Sequence, residues 1–254
     1  MSYSVFAQYY DVLTRNADYQ KRADYLCDLL KHYQHDAGTI LDLACGTGSL
    51  TLRLKQRGFD IFGVDNSIDM LTRAQQKASA AGENILFLHQ QMQSIDLCGL
   101  VDTVICTLDS LNHLPMKIDV EQTFRHVSHF LVPGGLFIFD MNTPYKHRTV
   151  LGNHTFIYDT EDVYCIWQNH YQKEGCRVGI TLDFFERNGA VYKRKKEHFY
   201  ERAYSQDQIT EILKQAGLQL MDTFAEMTFQ PPTQKSERIV YIAQKPLTGP
   251  LICE

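Results

Sequence analysis

The 254-residue sequence has no apolar run long enough to cross a bilayer, since stretches such as "GGLFIFDM" are far too short. Its first residues, "MSYSVFAQYYDVL", lack the charged region and following apolar run that are typical of a secretory signal peptide. Its seven cysteines are scattered and include no CxxC pair, which argues against a disulfide framework and against a zinc knuckle. These absences predict a cytoplasmic protein with no membrane span.

Positive charge is also scarce, because 25 Lys and Arg residues face 30 Asp and Glu residues and the formal net charge is −5. No global basic field would therefore recruit nucleic acid or acidic lipid. A local basic run, "KRKK" at residues 193–196, lies in an alternating stretch where its charges point to both faces. This pattern favours a solvent-exposed strand, and RNA binding is the less favoured alternative.

Strand and helix patterns alternate five times before residue 142, which predicts a parallel sheet with helices on both faces. The strands are predicted at "TILDLA", "DIFGVD", "NILFLHQ", "VDTVICTL" and "GLFIFDMN", and the helices at residues 20–34, 49–57, 66–82 and 117–135. The predicted strands are apolar over nearly their whole length, which indicates that they are buried on both sides.

The pattern changes after Pro144, where alternating stretches rich in aromatic residues replace the helices. In "RVGITLDFFE", the residues Val178, Ile180, Leu182 and Phe184 share one face, which predicts antiparallel strands. A helix with Ser205 as its N-cap follows, and then the strands "LQLMDTFAE" and "ERIVYIAQK". Their connection of about ten residues is too short for a helical crossover. The last two strands are therefore predicted to be antiparallel neighbours.

The stretch "LDLACGTGSL", residues 41–50, is a strand, a glycine turn and the start of a helix, which is typical of nucleotide-binding sites. A P-loop would need a Lys-Ser/Thr pair after its last glycine, but Ser49, Leu50 and Thr51 follow Gly48. A dinucleotide-binding turn would need a third glycine where Thr51 stands. A cofactor with an adenosine but no phosphate fits this turn better.

Three stretches make the sequence resemble the class I S-adenosylmethionine-dependent methyltransferases: "LDLACGTGSL", "GVDNSIDML" and "LVPGGLFIFD". The resemblance covers residues 36–142 and 205–245 and implies an α/β fold with a seven-stranded Rossmann-like sheet, mostly parallel with an antiparallel last strand. "FAQYYDVL", "CTLDSLNHL" and "HFYERAYS" resemble a subgroup of small bacterial methyltransferases with an antiparallel insert. We therefore predict a cofactor-binding domain of residues 1–143 and 205–254 and an insert of residues 144–204 that lies over the acceptor.

The resemblance implies S-adenosyl-L-methionine as the cofactor, with S-adenosyl-L-homocysteine as the product. Asp65 lies 19 residues after Gly46 and would accept both ribose hydroxyls, although it could instead cap the next helix. Asp42 would serve the methionyl end, or form a structural hydrogen bond to the loop. Ala44, Cys45 and Gly46 would line the cofactor with backbone atoms, Cys45 being a small packing residue rather than a nucleophile.

The remaining cofactor candidates surround the adenine and the rim of the site: Tyr9, Asn66, Met70, Gln91, Met92 and Leu108. Met70 and Met92 would cover the adenine, although methionines on a helix face are often core residues. Gln91 stands where the family often has an acid that holds the adenine amino group. Tyr9 or Tyr10 could reach the cleft or simply anchor an N-terminal helix.

The stretch "TLDSLNHLP" follows the fourth strand, at the edge of the sheet where ligands bind in open α/β folds. Asp109 and His113 are the predicted catalytic residues, and His113 could remove a proton from the acceptor or could only fix the loop. The predicted substrate-binding residues are Asn112, Trp167 and Arg202, of which Arg202 could equally form a structural ion pair. No metal site is predicted.

We expect in-line methyl transfer to a small-molecule acceptor by a monomer or homodimer. A catalytically silent cofactor-binding module and an RNA methyltransferase are the alternatives.

Overall fold

The computed structural model of the chain describes residues 4–247, so Cys253 lies outside the described residues. Among these described residues the α-helices are α1 (Ser4–Leu13), α2 (Tyr19–His32), α3 (Ser49–Lys55), α4 (Ile68–Ala80), α5 (Lys117–Phe130) and α6 (Gln206–Gln215). The strands are β1 (Thr39–Leu43), β2 (Asp60–Asp65), β3 (Phe87–His89), β4 (Val101–Cys106), β5 (Leu131–Asn142), β6 (Thr155–Asp159), β7 (Val163–Gln172), β8 (Arg177–Asn188), β9 (Val191–Arg202), β10 (Gln219–Ala225) and β11 (Arg238–Gln244).

Seven strands form one sheet in the order β10-β11-β5-β4-β1-β2-β3. Strands β1 to β5 are parallel, whereas β11 runs antiparallel to both β5 and β10. The predicted α/β fold with a Rossmann-like sheet is confirmed, and so is the predicted pairing of the last two strands. Because β1 and β4 are neighbours that connect in opposite directions, their carboxyl ends open a crevice where a ligand can bind.

The sheet is covered by helices on both faces. On one face, α5 and α6 pack against alternate residues of β5 such as Phe137 and Phe139. On the other face, α2 and α3 pack against Leu136 and Ile138 of the same strand. Successive residues of a strand point to opposite faces, so a strand between two helical layers is apolar throughout.

Helix α5 ends five residues earlier than predicted, at Phe130, and β5 begins at Leu131. Pro133 explains the difference, because a proline lacks the backbone N–H that a helix needs and disfavours helical geometry in the residue before it. The prediction of a helix up to the glycines at 134–135 was therefore wrong.

The segment between residues 144 and 204 contains the second sheet, in the order β6-β7-β8-β9 with all pairs antiparallel. Val178, Ile180, Leu182 and Phe184 are fully buried on one face, as their alternation predicts. Helix α1 packs on that face, with Phe6 near Phe199. The four-stranded sheet thus buries its apolar face against the N-terminal helix.

Within residues 4–247, no helix combines the length and the apolar character that a membrane span requires.

Gly63 in β2 packs tightly against the turn after β1 and against β3. A Cβ atom at this position would lie 2.7 Å from Cys45 Sγ and 2.8 Å from Phe87 Cδ1. We expect Gly63→Ala to lower the free energy of unfolding by about 1–3 kcal/mol, because the core would have to shift to admit one methyl group. Urea denaturation measures this change.

Gly99→Ala is the matched control, because a Cβ atom at Gly99 would meet no atom within 4 Å among the described residues. Its stability should equal that of the parent protein within about 0.5 kcal/mol. Equal stability of both variants would contradict the tight packing at Gly63.

Candidate functional site

The turn between β1 and α3 places backbone atoms at the carboxyl edge of the sheet. Ala44, Gly46 and Gly48 have φ angles of 61°, 55° and 70°, which lie in the left-handed region. Glycine adopts this region without steric cost, whereas Ala44 must be held there by its surroundings. Gly48 also permits close packing, since a Cβ atom there would lie 2.8 Å from the Cβ of Ala74 in α4.

The carboxylate of Asp65, at the end of β2, holds this turn. Its Oδ2 accepts a hydrogen bond from the Gly46 N–H (2.8 Å), and its Oδ1 accepts one from the Ser67 N–H (2.8 Å). Burial raises the pKa of the carboxyl, and the N–H donors of Ser67 and Gly46 offset this only in part. An ionised carboxylate has about four acceptor positions, so Asp65 can hold the turn and still accept bonds from a ligand.

A cleft of about 370 Å³ lies above the turn. Eight of the predicted site residues line it: Ala44, Gly46, Asp65, Asn66, Met70, Met92, Leu108 and His113. Ser110, which belongs to the polar stretch "TLDSLNHLP" predicted to lie at this edge, also lines the cleft, and so does Tyr10, which was named as an alternative to Tyr9. The sequence did not single out the other lining residues, which are Phe6, Gln93, Leu114, Pro115 and Asp119.

Among the described residues, four predicted cofactor residues do not line this cleft. Tyr9 stacks on Phe184 of the second sheet, and its hydroxyl bonds to Glu186. Successive residues of a helix point in different directions, so Tyr10 faces the cleft and Tyr9 faces away. The structure therefore places Tyr9 against the second sheet, which was the alternative considered for it, and places Tyr10 in the wall of the cleft.

Gln91 is exposed, and its side-chain oxygen accepts a hydrogen bond from Gln93. The short helical turn Met92–Ser94 begins at this point and turns Gln93 into the cleft instead. Cys45 points its Sγ toward β2, while its backbone N–H bonds to Val64 O (3.0 Å). Cys45 is thus a packing residue, as predicted, without a place in the wall of the cleft.

Asp42 is buried beneath the turn. Its Oδ2 accepts a 2.6 Å hydrogen bond from the Thr51 hydroxyl. Thr51 is the residue that stands at the third glycine position of a dinucleotide fingerprint, so this position stabilises a buried acid instead. Burial raises the pKa of Asp42 to about 7.

A second cavity of about 320 Å³, here called the inner pocket, lies beside the cleft. Phe6, Tyr10, Leu108 and His113 line both spaces, so the two meet there. The predicted residues Asp109 and Trp167 also line the inner pocket. Further aromatic walls come from the second sheet: Phe156, Tyr158 and Phe199.

An ion-pair network beneath the inner pocket fixes the loop after β4. Asp140 of β5 accepts hydrogen bonds from the backbone N–H groups of Leu108 (3.0 Å) and Asp109 (2.7 Å). Both loop residues have positive φ angles, 58° and 51°, which these bonds stabilise. Burial raises the pKa of Asp140, but Arg238 and Arg22 outweigh it and lower the pKa below its usual range.

Asn112 does not face the inner pocket, so its prediction as a substrate-binding residue was wrong. Its side chain is fully buried and bonds to the Asn142 N–H (2.9 Å), the Asn142 carbonyl (3.2 Å) and the Arg202 carbonyl (2.8 Å). All of these are backbone groups. Asn112 therefore joins the end of β5 to the end of β9, which connects the two sheets.

Arg202 was also predicted to bind substrate. Within the described residues 4–247, however, it is not among those that line the cleft or the inner pocket. Its guanidinium bonds to the Pro115 carbonyl (3.4 Å) and lies 4.9 Å from the ring centroid of Tyr204. These contacts make Arg202 a structural residue, which was the alternative considered for it, although its partners are a carbonyl and a ring rather than a carboxylate.

Glu201 was not predicted, because one acid in an alternating strand carries no distinct signal. Its buried carboxylate lies between two histidines, with Oε1 3.7 Å from His113 Nε2 and Oε2 3.3 Å from His147 Nε2. Burial raises the pKa of Glu201, but the neighbouring His147, His113 and Lys146 outweigh it and lower the pKa to about 2. Glu201 is therefore an ionised group at the edge of the inner pocket.

Helix α1 is fixed over the cleft at both ends. The Glu197 carboxylate accepts bonds from the N–H groups of Val5 (2.8 Å) and Phe6 (3.2 Å), the first-turn donors that a helix cannot satisfy itself. At the other end, Asp11 bonds to the Thr47 hydroxyl (2.8 Å) and pairs with Lys77. The helix thus contacts the glycine turn directly.

Comparison with known proteins agrees with this geometry. Residues 40–135 match the family model described as "Methyltransferase domain". The chain is 38% identical over 249 residues to YqeM of Bacillus subtilis (strain 168), provisionally named a methyltransferase with no acceptor stated, covering 98% of this chain and 99% of that one. It is 25% identical to a glycine/sarcosine N-methyltransferase of Parasynechococcus marenigrum (strain WH8102), covering 91% of this chain and 79% of the relative.

Among solved structures, an S-adenosylmethionine-dependent methyltransferase from Clostridium acetobutylicum ATCC 824 superposes with a TM-score of 0.86. Its sequence is 34% identical, and the match covers 96% of this chain and 99% of that one. The glycine turn, the strand order and the near full-length relatives agree, so the chain belongs to the class I S-adenosylmethionine-dependent methyltransferase family.

Proposed function

We propose that the protein transfers the methyl group of S-adenosylmethionine to a small-molecule acceptor bound in the inner pocket. The observation that carries this proposal is that the cleft and the inner pocket meet at Phe6, Tyr10, Leu108 and His113. A cofactor in the cleft and an acceptor in the inner pocket would face each other across this opening.

In this proposal the Asp65 carboxylate accepts hydrogen bonds from the ribose hydroxyls. Met70 and Met92 cover the adenine. The side-chain amide oxygen of Gln93, rather than that of Gln91, accepts a hydrogen bond from the adenine amino group. Asn66 also lines the cleft. The glycine turn contacts the methionyl part, which lies above Asp42. The methyl group then points toward Leu108 and His113.

The reaction is an in-line displacement at carbon. The acceptor atom forms a bond to the methyl carbon, the carbon–sulfur bond breaks, and its electron pair remains on sulfur as S-adenosylhomocysteine. The sulfonium is already a strong electrophile, so the protein mainly has to align the reacting atoms and exclude water. His113 is the proposed proton acceptor where the acceptor carries a proton that must leave.

Two observations support a small acceptor. The inner pocket has a volume of about 320 Å³, which suits a small metabolite, and a relative is named for methylating glycine and sarcosine. The basic run at residues 193–196 gives little support to RNA as the acceptor. Arg194 pairs with Asp183 (2.6 Å) and Lys195 with Glu186 (2.8 Å) within the second sheet.

Asp65→Ala tests the cofactor site. The variant loses the acceptor of the ribose hydroxyls and the anchor of the Gly46 N–H, so its dissociation constant for S-adenosylhomocysteine should rise about tenfold or more. Isothermal titration calorimetry measures it. Asp60→Ala, at the exposed start of the same strand, is the control and should bind normally.

Unchanged affinity in Asp65→Ala would refute the ribose assignment. Steady production of S-adenosylhomocysteine from labelled cofactor and a mixture of metabolites tests transfer itself. Binding without any turnover in such a screen would favour a silent binding module.

Asp42 gives a pH-dependent prediction. Its pKa is raised from 3.8 in the ordinary state to about 7 in the fold, so the unfolded chain ionises first as pH rises. The resulting stabilisation of the fold is present below about pH 4 and is lost as pH rises to about 7, by on the order of 1 kcal/mol per pH unit. Urea denaturation should show this loss in the parent protein and a flatter profile in Asp42→Asn.

A saturating concentration of S-adenosylhomocysteine should reduce the difference between the two profiles, because a nearby ammonium group favours the ionised Asp42. Identical profiles of parent and variant without ligand would contradict the buried, neutral carboxyl. Profiles that the ligand leaves unaltered would remove Asp42 from the methionyl site.

A further inference from the structure

Three ionisable side chains gather at the wall of the inner pocket: Asp109, His113 and Glu201. One polar atom of each lies within 4.8 Å of the corresponding atoms of the other two. Asp109 and His113 come from the loop after β4 and Glu201 comes from the end of β9, so the two sheets together build the cluster. All three line the pocket.

The charges around this cluster are predominantly negative. The described groups that line the pocket or belong to the ion-pair network beneath it are five carboxylates (Asp109, Asp140, Glu201, Glu226 and Glu237) and three cations (Arg22, Lys146 and Arg238). With His113 and His147 neutral, these eight groups carry a formal charge of −2. Such a region favours a positively charged ligand.

Arg238, one of the three cations, lines the pocket but is already paired with carboxylates. Its guanidinium pairs with Asp109 (2.8 Å), Asp140 (2.7 Å) and Glu226 (3.2 Å). Its charge is thus shared among three carboxylates, one of which is wholly buried behind the pocket. The carboxylate of Glu201 contacts only histidines among the ion pairs of the described residues.

The same pocket also has aromatic lining residues. Tyr10, Phe156, Tyr158 and Trp167 line the pocket together with the cluster. Aromatic faces attract cations, and ammonium groups that carry alkyl substituents are well suited to such walls. Carboxylates and aromatic rings that line one pocket are therefore a combination that selects an ammonium ion over a neutral or anionic ligand.

We propose that the methyl acceptor is a small amine that enters the inner pocket as its ammonium ion. This inference rests on the proposed function and adds the chemical class of the substrate. Glu201 and Asp109 attract the ammonium ion, and His113 is the group that removes its proton.

The proton and electron changes balance. The ammonium ion transfers one N–H proton to a ring nitrogen of His113, and the resulting imidazolium is stabilised by Glu201, 3.7 Å away. The freed lone pair on nitrogen attacks the methyl carbon, the carbon–nitrogen bond forms and the carbon–sulfur bond breaks with its electron pair left on sulfur. The product leaves as the methylated ammonium ion, and His113 returns its proton to water.

The test compares two probes of the same shape, benzylammonium and benzyl alcohol, by calorimetry at pH 7 on the full chain saturated with S-adenosylhomocysteine. We expect benzylammonium to bind at least about tenfold more tightly than benzyl alcohol. Glu201→Gln and Asp109→Asn should each reduce this preference several-fold, measured as the ratio of the two affinities in the same variant. Glu174→Gln, in the exposed turn before β8, is the control and should behave as the parent protein.

Equal or weaker binding of benzylammonium, including no detectable binding of either probe, would overturn the inference. A preference that survives both substitutions would also overturn it, and so would displacement of benzylammonium by Mg²⁺ or Zn²⁺, since the cluster would then hold a metal ion. If a variant fails to fold, the ratio of the two probes in the parent protein still decides. Binding of S-adenosylhomocysteine, measured first, separates a wrong amine assignment from a wrong cofactor site.

Discussion

The hydrogen bond from the Gly46 N–H to the Asp65 carboxylate is the contact on which the site depends. It joins the turn after β1 to the end of β2, two neighbouring strands of a parallel sheet. The turn contains three residues in left-handed geometry, including Ala44, and such a backbone persists only where its surroundings hold it. The sheet supplies the anchor at its own edge, so the backbone proposed to contact the cofactor and the carboxylate proposed for its ribose are joined directly.

The sequence predicts the central fold well because its signals are local. The positions of strands and helices follow from residues that are close in the chain, such as apolar runs and the glycines that end helices. Ser205, which forms a capping box with Gln208, marks the start of α6 in the same way. The predicted core of β8 is likewise a matter of alternation. The boundary between α5 and β5 was misplaced because an apolar run continues across it, and only Pro133 marks the change.

The glycine turn and its following acid were located from the sequence, and Ala44, Gly46 and Asp65 line the cleft, whereas the directions of other side chains were not predicted. Tyr9 and Tyr10 are adjacent in the chain, yet Tyr9 packs on the second sheet and Tyr10 lines the cleft. The turn at Met92–Ser94 places Gln93 rather than Gln91 in the cleft. The acceptor side depends on contacts between distant parts of the chain. Asn112 bonds across to residues 142 and 202, and Glu201 meets His147 from another element, pairings that no local pattern encodes.

Helix α1 gives both cavities a common wall, since Phe6 and Tyr10 line each of them.

The central claim is that the cofactor lies in the cleft with its sulfur facing the inner pocket. A crystal structure of the protein with S-adenosylhomocysteine bound tests this claim most directly. The account predicts the ribose hydroxyls within hydrogen-bond distance of Asp65 and the sulfur at the opening beside Leu108 and His113. A product molecule outside this cleft, or one whose sulfur faces away from the inner pocket, would contradict it.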